Sequence, residues 1–186
     1  MKRTIDVERI RFSFGESWTV VEKWDDSPPY RKGIHGLDGT KAVDIVGVRG
    51  GDLYLIEVKD FRGHAIETKK RQPKELPLAI GCKVRDTVAG LVGANRQGRE
   101  SWVETCAQLL LNAKRRVHVI AWIEDPDLRA PEPLGKRLMW QNTRAKELRQ
   151  RLAWLTPRVH VASRLEPAVL ADVDAENLPG VGGGPG

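Results

Sequence analysis

Cysteine is scarce in this chain of 186 residues, and so are long apolar runs. Cys82 and Cys106 stand far apart and form no CxxC pair, so neither a disulfide framework nor a structural zinc site is expected. No segment approaches the ~20 apolar residues that a membrane-spanning helix needs. The amino-terminal residues MKRTIDVERIRF lack the apolar run of a signal peptide. We therefore expect a cytoplasmic protein that does not associate with membranes.

An excess of one charge sign is present but modest. The chain has 31 Lys and Arg against 25 Asp and Glu, a net charge of +6 and a pI of about 9.5. This balance favours a polyanionic partner only weakly, because both signs are mixed along the chain. Length and composition suit one globular domain, which we predict over residues 1–177. The end of the chain, 178–186 (LPGVGGGPG), is too rich in Gly and Pro to pack and is predicted to be a flexible tail.

The order of predicted elements indicates a mixed α/β fold. DVERIRFSF fits a short helix slightly better than a strand, and residues 18–24 fit a strand. KAVDIVGV and LYLIEVKDF, joined by RGGD, predict an antiparallel hairpin. The later segments predict two helices, a buried strand, a basic helix and a final strand: CKVRDTVAGLVGA, SWVETCAQLLLNAKRR, VHVIAWIED, GKRLMWQNTRAKELRQRLAWL and VHVASR. This order predicts a mixed sheet with helices packed against its faces.

Three charged residues interrupt the apolar strands of the predicted hairpin. Side chains alternate along a strand, so Glu57 and Lys59 share one face near the end of the second strand. Pairing about the Gly50–Gly51 turn places Asp44 opposite a residue near 57. Two carboxylates and an amine are therefore predicted to meet on neighbouring strands.

The two carboxylates suit a hard divalent cation such as Mg²⁺ or Mn²⁺. Mg²⁺ usually takes one or two carboxylates in proteins and keeps waters or substrate phosphate as its other ligands. We expect metal ligands from Asp44, Glu57 and the backbone carbonyl of Val58. Lys59 would then face a bound water or the scissile phosphate, where it would orient or deprotonate the water and stabilise developing charge. The alternative explanation for the same residues is a structural salt bridge at the end of a strand.

The stretch VDIVGVRGGDLYLIEVKDF resembles the PD-(D/E)xK nuclease superfamily, which has the restriction-endonuclease-like fold. The motif of that superfamily is an aspartate on one strand, a short hairpin turn and then (D/E)-x-K, and Asp44, Glu57 and Lys59 match it. The resemblance extends over roughly residues 18–123. It implies an αβββαβ core with a mixed central sheet flanked by helices. It also implies metal-dependent endonuclease chemistry, the hydrolysis of phosphodiester bonds in nucleic acid, with DNA expected first.

The resemblance has departures and open positions. Val43 stands where the motif has a proline. Members often carry a glutamate on the first helix, for which Glu8 and Glu16 are both candidates. Asp25 and Asp26 are candidates for an accessory carboxylate, although a turn or helix cap explains them better.

The predicted function is a metal-dependent nuclease, acting in a defence or repair system. The alternative is a nuclease fold that binds nucleic acid or a protein without cutting. No sequence-reading domain is recognisable, so expected partners include nucleic acid, a protein that supplies recognition, and a second copy in a homodimer. Three basic segments are candidates for phosphate contacts or simply solvated faces: KKRQPK (69–74), KRR (114–116) and the helix face at 136–151.

Overall fold

The computed structural model describes residues 2–62, 75–98, 100–124, 134–167 and 170–179. The basic segment at 69–74 and residues 180–186 of the predicted tail lie outside this part of the chain. Within it, the strands are β1 (Arg3–Val7), β2 (Ile10–Phe14), β3 (Trp18–Lys23), β4 (Ile45–Arg49), β5 (Asp52–Asp60), β6 (Val117–Glu124), β7 (Val159–Ala162) and β8 (Val173–Asn177). The α-helices are α1 (Pro28–Arg31), α2 (Glu75–Arg96), α3 (Ser101–Leu111) and α4 (Leu134–Leu152).

A five-stranded mixed sheet forms the middle of the molecule, in the order β3-β4-β5-β6-β7. β3, β4 and β5 are antiparallel neighbours, whereas β6 and β7 run parallel to β5. β5 is buried on both faces, as expected for a strand whose alternate residues are all apolar at its start. The predicted mixed α/β fold and the strands at 18–24, 117–124 and 159–162 are therefore confirmed.

The β4–β5 hairpin has the predicted turn and register. Gly50 and Gly51 both have positive φ, 59° and 78°, which suits the two-residue turns that match strand twist and that glycine adopts without steric cost. Ile45 pairs with Ile56. One further step along both chains brings residue 44 opposite residue 57.

The helices cover one face of the large sheet. Their apolar residues and one side of the strands form a continuous core that includes Ile80, Val84, Cys106, Leu148, Val46, Leu55 and Val119. The other face is covered by a three-stranded sheet, in the order β1-β2-β8. That second core includes Ile10, Phe12, Phe14, Ile56, Val58 and Trp122. The sheet is thus flanked by helices on one side and by a smaller sheet on the other, whereas helices had been expected on both faces.

The helix predicted at DVERIRFSF is wrong, since these residues form most of the β1–β2 hairpin. Ile5, Val7, Ile10, Phe12 and Phe14 are all buried against the large sheet. That spacing is the alternation of a strand on each side of a tight turn. Val7 and Ile10 are three positions apart across the turn, which breaks the period of two in the sequence.

β8 is a strand that the sequence analysis did not predict. It pairs antiparallel with β2, with Phe12 opposite Ala175. Its sequence, VDAEN, carries little of the β-branched and aromatic content by which strands are recognised. The amide of Leu178 donates a hydrogen bond of 3.0 Å to the carbonyl of Arg9. The first residue of the predicted tail is therefore held on the small sheet.

No helix within the described ranges is long and apolar enough to cross a membrane.

Replacing Phe12 with alanine tests the packing of the small sheet. Phe12 is 0% exposed and its ring meets the edge of Trp122 at 5.1 Å between centroids. We expect Phe12→Ala to lower the free energy of unfolding by about 3–5 kcal/mol. Ser13→Ala, on the other face of β2, is the control and should change it by less than about 0.5 kcal/mol. Urea denaturation measures both, and equal effects would contradict the packing described here.

Candidate active site

Asp44 is fixed at the point where the chain enters β4. Its carboxylate Oδ2 accepts a hydrogen bond of 2.6 Å from the amide of Val58 on β5. Its backbone carbonyl accepts a bond of 2.8 Å from the amide of Trp24. The side chain is buried, and these bonds direct its other oxygen, Oδ1, away from the Val58 amide. Asp44 thus offers one carboxylate oxygen whose position is set by neighbouring backbone.

Glu57 and Lys59 lie on the helix-facing side of β5, as the alternation predicted. Glu57 is 0% exposed, and the Nζ of Lys59 lies 2.8 Å from its Oε1. The pairing of Ile45 with Ile56 places Asp44 opposite Glu57. The predicted meeting of two carboxylates and an amine on adjacent strands is therefore confirmed, while their roles stay predictions.

Lys83 is a member of the site that the sequence analysis missed. It projects from α2, and its Nζ lies 2.7 Å from Oε1 and 2.9 Å from Oε2 of Glu57. The same nitrogen is 3.9 Å from Oδ1 of Asp44. Lys83 directly precedes Val84, which is buried in the core against the large sheet. Helical periodicity identifies the apolar face but does not show that this face packs over the strand that carries Glu57.

The environment of Glu57 favours its neutral form. Burial, followed by repulsion from Asp44, raises the pKa of Glu57 from its usual 4.5 to about 7, although Lys59 and Lys83 act in the opposite direction. Burial alone would lower the pKa of Lys59, but the charge and hydrogen bond of Glu57, together with the charges of Asp44 and Glu8, outweigh it and the net shift is upward. Lys59 therefore remains charged beside a carboxyl group that titrates near neutrality.

Of the two open glutamate positions, Glu8 is the one near the site. It occupies the β1–β2 turn with a φ of 53°, and its Oε2 accepts a bond of 2.6 Å from the amide of Asp60. Desolvation raises the pKa of Glu8, and Lys59 and Asp44 also influence it. Glu16 instead precedes β3 at the sheet end marked by Arg49, opposite the end that carries Glu57. Glu8, one of the two candidates for the glutamate expected on a first helix, thus lies on a hairpin turn and not on a helix, and its role stays a prediction.

A charged cluster ties this turn to the end of β5. The buried carboxylate of Asp60 accepts bonds of 2.8 and 2.7 Å from Arg62. The Nε of Arg9 lies 3.3 Å from the same carboxylate. Because Arg9 follows Glu8 directly, the cluster holds Glu8 beside the strand that carries Lys59.

The two aspartates after β3 have different surroundings. Asp25 has a buried Oδ1 with no hydrogen-bond partner in the described part of the chain. Burial and then Asp44 raise its pKa, so it lies within electrostatic range of the site. Asp26 forms an ion pair with Arg31. The accessory carboxylate is therefore better assigned to Asp25 than to Asp26, and it stays a prediction.

The donor set fits a hard divalent cation. Asp44 and Glu57 bring two carboxylates to one place. Mg²⁺ commonly takes one or two carboxylates from a protein. A strand residue directs its N–H and C=O to the same side, and the Val58 N–H faces Asp44, so its carbonyl lies on that side too. No group of three or more His, Cys, Asp or Glu side chains among residues 2–62, 75–98, 100–124, 134–167 and 170–179 is arranged to hold a metal.

The KRR segment (114–116) lies at the far end of the sheet from these carboxylates. It precedes Val117, which pairs with Leu53 at the start of β5. Lys59 pairs with Ile123 at the other end of the same two strands. Any phosphate contact made by this segment is therefore separated from Glu57 by most of the length of β5.

Comparison with known proteins gives little direct guidance. No family model matches this chain, and no solved structure is significantly similar to it. A curated cysteine–tRNA ligase of Neisseria meningitidis serogroup A / serotype 4A is 27% identical over 154 residues. The match covers 68% of this chain and spans only 22% of the ligase. This similarity assigns neither a family nor an activity to the chain.

The raised pKa of Glu57 predicts a pH dependence of stability in metal-free protein. Between pH 4.5 and about 7 the folded state holds a proton that the unfolded state has lost, so the free energy of unfolding should fall as pH rises through this window. The Glu57 contribution is on the order of 3 kcal/mol. Urea denaturation in EDTA at several pH values measures it. Glu57→Gln should remove this part of the slope.

The matched control is Glu104→Gln, a change on the exposed side of α3. It should leave the pH dependence of the wild type unchanged. If Glu57→Gln shows the same slope as the wild type, the carboxyl group titrates alike in the folded and unfolded states, and the described burial has no electrostatic effect.

Proposed function

We propose that this chain is a Mg²⁺- or Mn²⁺-dependent nuclease with a restriction-endonuclease-like core that hydrolyses phosphodiester bonds of nucleic acid, DNA in the first place. The observation that carries the proposal is the buried Asp44–Glu57 pair on adjacent strands, with Lys59 at 2.8 Å from Glu57. Two carboxylates that repel each other in a buried place are costly without positive charge. Such a pair is accounted for when it serves to bind a cation.

The proposed chemistry divides between the carboxylates and the lysine. Asp44, Glu57 and the Val58 carbonyl would hold the cation, which when bound acidifies a water and polarises a phosphate oxygen. Val58 fixes Asp44 through its amide, so the ligand does not have to be ordered during binding. Lys59 would orient the attacking water and offset negative charge on the phosphate in the transition state.

The fold supports the proposal from β3 to β6. Three antiparallel strands, a helical segment and a parallel strand follow one another in the order that the resemblance implies. The helix expected before them is replaced by the β1–β2 hairpin. Glu8 on that hairpin lies within electrostatic range of Lys59, and in this proposal it would serve as the additional glutamate from a different element.

One observation favours the alternative, a module on this fold that does not cut. Glu57 contacts the ammonium groups of both Lys59 and Lys83. Two ammonium groups balance the two carboxylates, so the same residues would be stable as a structural ion cluster. Measurements of cleavage and metal binding separate these functions.

Cleavage should depend on Asp44 and Lys59. We expect Asp44→Asn to abolish cutting through loss of a metal ligand, and Lys59→Ala to slow it by about 10²–10⁴-fold. Lys41→Ala is the control. This exposed lysine precedes the site, and its hydrogen bond to Asp86 is donated by the backbone amide, which the substitution keeps. The assay uses plasmid, linear duplex, single-stranded DNA and RNA with Mg²⁺, Mn²⁺ or EDTA.

The panel should include tRNA, because the curated relative is named for joining cysteine to tRNA. Cutting by the wild type that persists in EDTA, or that is equal in Lys59→Ala, would contradict the mechanism. Binding without cutting across the whole panel would favour the non-cutting module. Adding candidate partner proteins to the same assay tests whether recognition comes from another chain, and its dependence on protein concentration tests a homodimer.

Mn²⁺ should stabilise the folded protein without nucleic acid. A cation that binds only the folded state raises the free energy of unfolding by RT times the logarithm of one plus the ratio of its free concentration to its Kd. Asp44→Asn should lose this gain, although its side-chain oxygen can still accept the bond from the Val58 amide. Thermal unfolding with and without Mn²⁺ is the measurement. A gain that survives in Asp44→Asn would place the binding site elsewhere.

A further inference from the structure

Lys83 occupies the space between the two carboxylates of the site. Its Nζ contacts both oxygens of Glu57, at 2.7 and 2.9 Å, and lies 3.9 Å from Oδ1 of Asp44. Lys59 is paired with Oε1 of Glu57 at 2.8 Å. Of the two ammonium groups, that of Lys83 therefore stands nearer to the position where a cation would touch both carboxylates.

Lys59 and Lys83 already bring two positive charges to Asp44 and Glu57. A divalent cation added beside them would raise the positive charge at these two carboxyl groups from two to four. Like charges at this range repel strongly in a partly buried site. The oxygens that pair with Lys83 are also the oxygens that a cation needs. Lys83 and the cation must therefore compete for them.

Lys83 is the lysine that comes from a separate element. It belongs to α2, whereas Lys59 is carried by the same strand as Glu57. Its ammonium ends a flexible four-carbon stem, and 19% of its side chain reaches solvent, against 27% for Lys59. A phosphate group of nucleic acid at the mouth of the site would offer this ammonium new oxygens as it leaves the carboxylates.

We propose that Lys83 is a built-in counter-ion that weakens divalent-cation binding at the Asp44–Glu57 site until a nucleic-acid phosphate draws its ammonium away. This inference rests on the proposed function and adds a coupling to it. Cation and nucleic acid bind with positive cooperativity, and each strengthens the other by the same factor. Lys83 is thus a positioning residue for the cation and a phosphate contact in the loaded complex.

The first test is Mn²⁺ affinity without nucleic acid, measured by calorimetry on the full chain. Lys83→Met keeps the length of the side chain and removes its charge. We expect it to bind Mn²⁺ about tenfold more tightly than wild type, or more, because a unit charge about 4 Å away is removed. Lys59→Met should give a smaller gain, and Lys41→Met, with the same change in net charge, should give none.

The second test is cooperativity with a nucleic acid that the wild type cleaves, made resistant by phosphorothioate linkages. In wild type this ligand should tighten Mn²⁺ binding, and in Lys83→Met the tightening should be largely lost. Cooperativity of equal size in both proteins would overturn the inference. So would an equal gain in Lys59→Met and Lys83→Met, because net charge rather than the place of Lys83 would then decide.

A second variant covers the case in which Lys83→Met does not fold. Lys83→Gln removes the charge but keeps a donor for Glu57, and it should show the same tighter Mn²⁺ binding. If wild type cuts nucleic acid with Mn²⁺ but neither variant binds Mn²⁺ more tightly, the inference falls and the proposed function stands. If neither the wild type nor the two Lys83 variants bind Mn²⁺ in either test, this inference and the proposed function both fall.

Discussion

The burial of one carboxyl group, that of Glu57, is the constraint around which this structure is arranged. A carboxylate with no exposed surface needs compensating partners. Those partners come from separate elements, with Lys59 supplied by the same strand and Lys83 by the helix packed above it. Asp44 adds negative charge at the place where it is least favourable. The arrangement is one in which charge is concentrated beyond what stability of the fold would require.

The layers on the two faces of the large sheet contribute differently to this site. The helical layer supplies Lys83 and holds the entrance of β4, where Thr87 accepts a bond of 3.0 Å from the amide of Val43. The small sheet packs apolar side chains against Ile56 and Val58. It also supplies Glu8 at its turn. The charged residues thus lie at one end of the large sheet, between the helical layer and the small sheet.

Much of this arrangement follows from short-range sequence signals. The Gly50–Gly51 turn and the alternation in LYLIEVK determine the register of the hairpin and hence the meeting of Asp44, Glu57 and Lys59. The rest depends on contacts between residues distant in sequence. Nothing local to Lys83 indicates that a helix returns it to Glu57. In DVERIRFSF, charged residues alternate with apolar ones so that helix and strand spacing fit nearly equally. The strand forms because its apolar residues are buried against the large sheet.

The pairing of β2 with β8 has a consequence for how the chain folds. These two strands are separated by nearly the whole sequence, and Arg62, which follows β5, also donates a hydrogen bond of 2.7 Å to Asn177 on β8. Contacts of such long range form late because closing the intervening loop costs entropy. During synthesis the small sheet cannot be completed until residue 177 has emerged from the ribosome. Until that point, which is most of the time that translation takes, the apolar face of the β1–β2 hairpin, with Phe12 and Phe14, is exposed to other chains.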